Sequence, residues 1–126
     1  MMIKPGVELL NETLGEGPAV QRHKHYQIRL RMWLRKGEPV RWEKPLGPHP
    51  LDEDEAALIT DTRVDRVSLI AGVFYGIQGM CVGGTRTLRI APHLGYGEQG
   101  VPGRIPPNAL LTVEIAVLAE RQEMNW

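Results

Sequence analysis

Residues 79–100 read Gly79-Met80-Cys81-Val82-Gly83-Gly84-Thr85-Arg86-Thr87-Leu88-Arg89-Ile90-Ala91-Pro92-His93-Leu94-Gly95-Tyr96-Gly97-Glu98-Gln99-Gly100. They continue through Ile105-Pro106-Pro107-Asn108-Ala109-Leu110-Leu111. A glycine turn, a short strand over Thr87–Ile90 and a loop punctuated by Gly100, Pro102, Gly103, Pro106 and Pro107 follow one another here. From Leu111 onward Leu111, Val113, Ile115 and Val117 form one face, and Leu110, Thr112, Glu114 and Ala116 the other. That two-residue period is the mark of a half-buried strand.

Working outward, Gln27 to Leu34 alternates in the same way, with Ile28, Leu30, Met32 and Leu34 facing one side and Gln27, Arg29, Arg31 and Trp33 the other. Shorter strands are predicted at Val7–Leu10 and Leu58–Arg63. One short helix is predicted after Ser68, its N-cap, because Ile70, Val73, Phe74 and Ile77 recur at helical spacing. Gly72, Gly76 and Gly79 weaken its intrinsic propensity, so it needs a sheet to pack on. The sum is an α+β arrangement, a twisted antiparallel sheet wrapped around one short helix.

The 126 residues suit one domain with its own core. A formal net charge of +0 gives no global field toward nucleic acid or an anionic membrane. Cys81 is the sole cysteine, so no internal disulfide can form, and it is expected to be a small buried residue. Met1–Leu14 lacks the apolar run of a secretory signal, and no segment approaches the roughly 18 apolar residues of a membrane span. The expectation is a cytoplasmic monomer.

The stretch quoted at the outset resembles the signature of FKBP-type peptidyl-prolyl isomerases: a Gly-Met turn after a helix, a glycine hairpin, Leu-x-Ile, Pro-x-x-x-Tyr-Gly, then Ile-Pro-Pro-x-x-x-Leu. Gly6-Val7, Gly15-Glu16-Gly17, Leu34 and Gly37 match the family's N-terminal half in order. The resemblance covers Gly6–Val40 and Leu69–Ala119. Between them Arg41–Ser68 diverges and is longer than in a minimal member. It contains Pro45, Pro48, Pro50 and the acidic run Asp52–Glu55, and reads as an extended loop within the single domain 1–126.

The resemblance implies a hydrophobic groove between sheet and helix. In it the Tyr96 hydroxyl and the Ile70 backbone N–H donate to a ligand carbonyl, with Leu69, Ile70 and Ile105 as walls. Other positions depart from the family: Leu30 stands where tyrosine is usual, Val40 and Val113 where phenylalanine is, Val73 where tryptophan forms the floor, and Arg41 where aspartate is. Each lost ring would bury about 150–250 Å². The pocket is therefore expected to be wider and less complementary to a prolyl ring, with Trp42, Phe74 or Tyr75 as candidates to refill it.

Isomerisation needs no nucleophile, metal or cofactor, and none is expected. A dry pocket favours the twisted amide, whose carbonyl has lost resonance-driven polarity, and placed hydrogen bonds hold the flanking peptide. Two functions stay open. One is an isomerase of Xaa-Pro bonds in proline-containing peptide or protein clients, with low or altered activity. The other is a non-catalytic binding module that uses the same groove or the 41–68 segment.

Two other features read as surface. His23 and His25, at i and i+2, would suit two ligands on one strand face, but no Cys or carboxylate pair lies near them in sequence, so no metal is expected. Arg22, Lys24, Arg29, Arg31, Arg35 and Lys36, interleaved with Tyr26 and Trp33, read as a solvated strand face rather than a nucleic-acid surface.

Overall fold

The computed structural model describes residues 1–40 and 57–122. Among them six strands form one sheet: β1 (Met2–Lys4), β2 (Val7–Thr13), β3 (His25–Trp33), β4 (Ala57–Arg63), β5 (Thr85–Ile90) and β6 (Leu111–Arg121). The spatial order is β1-β2-β5-β6-β3-β4, with every neighbouring pair antiparallel. A single helix, α1 (Ala71–Ile77), and a 3-10 turn at Pro92–Leu94 complete the described elements. The fold is α+β, as the sequence pattern predicts.

Alternation in β3 becomes strict burial. Tyr26, Ile28, Leu30 and Met32 point into the core while their neighbours stay half-exposed. Cross-strand pairing fixes the inner layer: Leu30 lies opposite Ile115, Met32 opposite Val113, and Val113 in turn opposite Leu88. Ala116 departs from expectation. It is buried although it belongs to the outer face, where it sits between Thr85 of β5 and Arg29 of β3.

The helix explains its own glycines. Every residue of α1 except Tyr75 is buried. A β-carbon at Gly72 would stand 2.4 Å from Ile90 Cγ2, and one at Gly76 would stand 2.1 Å from Leu88 Cδ1. Two glycines four apart lie on one helix face, and Leu88 and Ile90, two apart, lie on one strand face. Removing the β-carbons lets the helix axis settle onto β5. After the helix, Gly79 turns the chain at φ 82, in the left-handed region open to glycine.

Three local expectations are corrected. Ser68 does not cap α1: the N-cap is Ile70, with no side-chain cap. Asp65 Oδ1 accepts the N–H of Val67 at 3.1 Å and that of Ser68 at 2.7 Å, which holds Ser68 in the preceding turn. Cys81 is half-exposed, bridging to Ala19 rather than sinking into the core. His23 lies outside β3 at φ 70, so it does not share a strand face with His25.

Candidate active site

Leu69 and Ile70, two of the expected site residues, lie at the start of α1. Its approach is the turn Asp65–Leu69, tied by the two Asp65 bonds, by Leu69 N–H to the Asp65 carbonyl at 3.2 Å, and by the Arg66 guanidinium on the Leu69 carbonyl. The backbone N–H groups that bind Asp65, Ser68's first, hold its carboxyl below the usual carboxylate range. The ion pair with Arg63 adds to this, and partial desolvation opposes it. Leu69 is thereby buried and Ile70 is placed at the helix start with φ −61 and ψ 152. Among the described residues no group accepts from the Ile70 N–H. Its carbonyl is already helical and accepts Phe74 N–H at 3.0 Å. An N–H left over at the N-cap is what helix geometry provides.

Tyr96 arrives from the other side. The 3-10 turn ends at Gly95, and Gly97 N–H returns to the Pro92 carbonyl at 2.9 Å. The loop that follows is closed by Gly100 N–H to the Tyr96 carbonyl (3.0 Å), by the reciprocal Val101–Ile105 pair (2.8 Å each way), and by Asn108 N–H to the Gly97 carbonyl (2.8 Å). This bonding fixes the Tyr96 backbone and drives Ile105 inward. Burial pushes the Tyr96 hydroxyl above the ordinary phenol value, so it remains a protonated donor across neutral pH.

The residues expected as walls belong to, or pack against, the protein's main hydrophobic core. Leu30, Val40, Leu69, Val73, Ile105 and Val113 all belong to it, and Ile70 and Tyr96 pack against its edge. Val40 is brought there by its N–H bond to the Met32 carbonyl at 2.8 Å. Arg41 and Trp42 lie outside the described residues. Phe74 and Tyr75 meet edge to face, 5.3 Å apart, with Arg22 over the first ring and Lys4 over the second.

The expectation of a wider pocket meets a different arrangement. Val73 and Val113 are 0% exposed, Val40 1%, Ile105 2%, Leu30 6% and Leu69 7%. Small side chains at the family's ring positions therefore sit as core, and the partly accessible members are Ile70 and Tyr96.

A profile of FKBP-type peptidyl-prolyl cis-trans isomerases matches residues 52–118, just over half of the chain. The chain belongs to that family. The FK506-binding protein 2 of Candida glabrata is 50% identical over 50 residues, which make up 40% of this chain and 37% of that one. Human peptidyl-prolyl cis-trans isomerase FKBP9 is 48% identical over 50 residues, 40% of this chain and 9% of that protein. These matches thus span well under two thirds of either relative.

Among solved structures, a peptidyl-prolyl cis-trans isomerase from Pseudomonas syringae pv. tomato superimposes with a TM-score of 0.66 at 25% identity, over 94% of this chain and 84% of that one. AtFKBP13 gives 0.72 at 24% identity, over 93% and 94%, a likeness of fold. The family's antiparallel sheet and single short helix are the architecture described above.

Sequence reading missed two positioning residues. Asp65 sets the turn that delivers Leu69 and Ile70, and the Asp-x-x-Ser spacing carried that signal. Arg86 donates to the carbonyls of Gly76 at 3.0 Å and Gln78 at 2.6 Å, and pairs with the Glu12 carboxylate. It shares the inward face of β5 with Leu88 and Ile90, and a charge at an inward position requires a buried partner.

Proposed function

We propose that this chain is a peptidyl-prolyl cis-trans isomerase of low activity, acting on Xaa-Pro bonds of peptide or protein clients. The observation that carries the reading is the Ile70 N–H, unengaged among the described residues, on a residue that packs, as Tyr96 does, against the apolar core. Rotation about the prolyl amide carries a barrier of about 18–20 kcal/mol because it breaks resonance. The Ile70 N–H holds a carbonyl of the flanking peptide, the Tyr96 hydroxyl holds a second, and the water-poor surface between them favours the less polar, twisted amide. The isomerase names carried by the Pseudomonas syringae structure and by the curated relatives support the assignment.

The burial of Val73, Val113 and Val40 supports a second reading. The space a prolyl ring would need is occupied by the chain's own side chains, which suits a binding module that holds peptide at the rim.

The test is protease-coupled or NMR-exchange measurement of Xaa-Pro isomerisation, with three variants. Ile70 already has a φ of −61, and its N–H bonds nothing among the described residues, so Ile70→Pro suits that φ and removes the donor together with the side chain. Ile70→Ala controls for the side chain. Ile70→Pro is expected to lose most of the acceleration, Ile70→Ala less, and Tyr96→Phe a modest part. A folded Ile70→Pro protein as fast as wild type would refute the site. No acceleration by folded wild type at micromolar concentration would leave the binding module standing.

A further inference from the structure

Most cations on this surface are already spoken for. Lys24 faces Glu120, Arg29 faces Glu114, Arg63 faces Asp65, Arg89 faces Glu8 and Arg121 faces Asp61. Arg66 and Arg86 hold backbone carbonyls, and Lys4 and Arg22 lie over aromatic rings. Arg31 and Arg104 have partners of their own. Among the described residues, Arg35 and Lys36 are the two cationic side chains with no ion pair, hydrogen bond or ring contact. They are adjacent and exposed.

Both stand on the turn after β3, which is closed by Gly37 N–H to the Leu34 carbonyl and Leu34 N–H to the Glu38 carbonyl, each 2.8 Å. That turn forms one side of a cleft of about 480 Å³, and the segment Pro106–Leu110 forms the other. The floor is apolar, from Leu34, Pro106, Pro107, Ala109 and Leu110, and among the described residues Glu38 is the single acid on the lining. One carboxylate against two unpaired cations leaves the cleft positive. The floor is also rigid, since prolines fix their own φ and the Asn108 N–H is tied to Gly97. A preformed site loses little ordering entropy on binding.

The cleft adjoins the groove along the chain. Pro106 follows the wall residue Ile105, and Val40 lies two residues beyond Glu38. We infer that this cleft is a second contact for the client, taking an acidic, partly apolar stretch that flanks the proline-containing segment. The inference rests on the reading that the neighbouring groove receives that segment. Arg35 and Lys36 supply the cations, and the proline-lined floor takes the intervening apolar side chain.

The experiment compares fluorescent peptides sharing one Ala-Leu-Pro-Phe core. Glu-Leu-Glu or Lys-Leu-Lys is added on either the N- or the C-terminal side, and binding is read by anisotropy and isomerisation on the unflanked core. The acidic flank on one side is expected to tighten binding about three- to tenfold over the basic flank, the scale of two exposed ion pairs. That advantage should vanish in the double variant Arg35→Glu/Lys36→Glu and fade at roughly 0.5 M salt. Turnover of the unflanked core should not change in the variant.

Equal affinities on both sides, or an acidic advantage that survives the double variant, would overturn the cleft while leaving the groove reading intact. An acidic advantage lost in the variant, with no isomerisation of any peptide, would support the cleft and sink the enzyme. Tighter capture of single-stranded RNA than of acidic peptide through the same two residues would overturn the peptide assignment.

Discussion

Replacing Gly72 with alanine separates two views of α1 by the sign of the effect. In an isolated helix the change is favourable by about 0.5–1 kcal/mol, because glycine loses more backbone entropy on ordering. Here the new β-carbon would meet Ile90 Cγ2 at 2.4 Å, Cδ1 at 2.7 Å and Cγ1 at 2.9 Å, against the roughly 3.5–4.0 Å of ordinary carbon contacts. Ile90 cannot swing aside: it is fully buried, β-branched, and clamped between Val7 of β2 and Leu111 of β6.

The helix must therefore lift by about 1 Å, and overpacking of that kind costs about 1–3 kcal/mol. The net expectation is destabilisation of about 0.5–2 kcal/mol, read as a lowered urea midpoint by far-UV circular dichroism. Gly76→Ala should cost less, because its clash is with the terminal Cδ1 of Leu88 and the next neighbours are 3.5 and 3.7 Å away. Since Gly72 lies two residues from Ile70, a lifted helix also moves the N–H donor, and kcat/KM should fall about tenfold or more. A Gly72→Ala protein more stable than wild type by the helix-propensity amount would refute the close-packing account.

Arg86→Met removes two bonds to the carbonyls at the end of α1 and the Glu12 pair, and should cost about 2–3 kcal/mol by urea unfolding; an unchanged midpoint would count against it. The Asp65 carboxyl should titrate by carbon NMR below the ordinary value of about 3.9. Its folded-state pKa is depressed, so its support of the turn is present above that ordinary value and is lost as pH falls through the lowered one; a midpoint at or above it would remove Asp65 from this role. For Tyr96 the shift is upward, so both states are neutral below about pH 10 and stability there is independent of this group. Above that pH the unfolded phenol ionises first and stability declines as pH climbs through the folded value. Isomerisation should be flat from about pH 6 to 9 as far as Tyr96 is concerned, and a tyrosinate absorbance step below pH 10 that Tyr96→Phe abolishes would contradict this.

The long strands were legible because β3 and β6 each bury one face over many residues, so a period of two survives in the sequence. β1 was not: Met2-Ile3-Lys4 is too short to show a period, and its pairing with β2 is set by the turn between them. Gly72 and Gly76 were read as weak points because propensity is local, whereas their reason lies in Leu88 and Ile90 on a later strand. Tyr96 and Ile105 were singled out from the motif around them. Closure of the walls was not legible, since the burial of Val73 and Val113 depends on how helix and sheet approach one another in space.

That closure bears directly on the catalytic power to be expected of the proposed isomerase. On the proposed reading, the polar half of the groove is delivered without any of the absent rings: Asp65 and Arg66 order the turn before Ile70, and the Val101–Ile105 loop follows Tyr96. The apolar half is filled by the protein itself. If acceleration comes chiefly from two hydrogen bonds that strengthen as the amide twists, each contributes about 0.5–1.5 kcal/mol. Together they lower the barrier by about 1–3 kcal/mol, or about five- to 150-fold in rate. Acceleration far above that range would require the buried valines to part and admit the prolyl ring, because the remaining barrier reduction has to come from apolar contact with the twisted amide. If the proposed isomerase reading holds, the rate enhancement of the wild-type protein would report how closed the floor of Val73 and Val113 stays in solution.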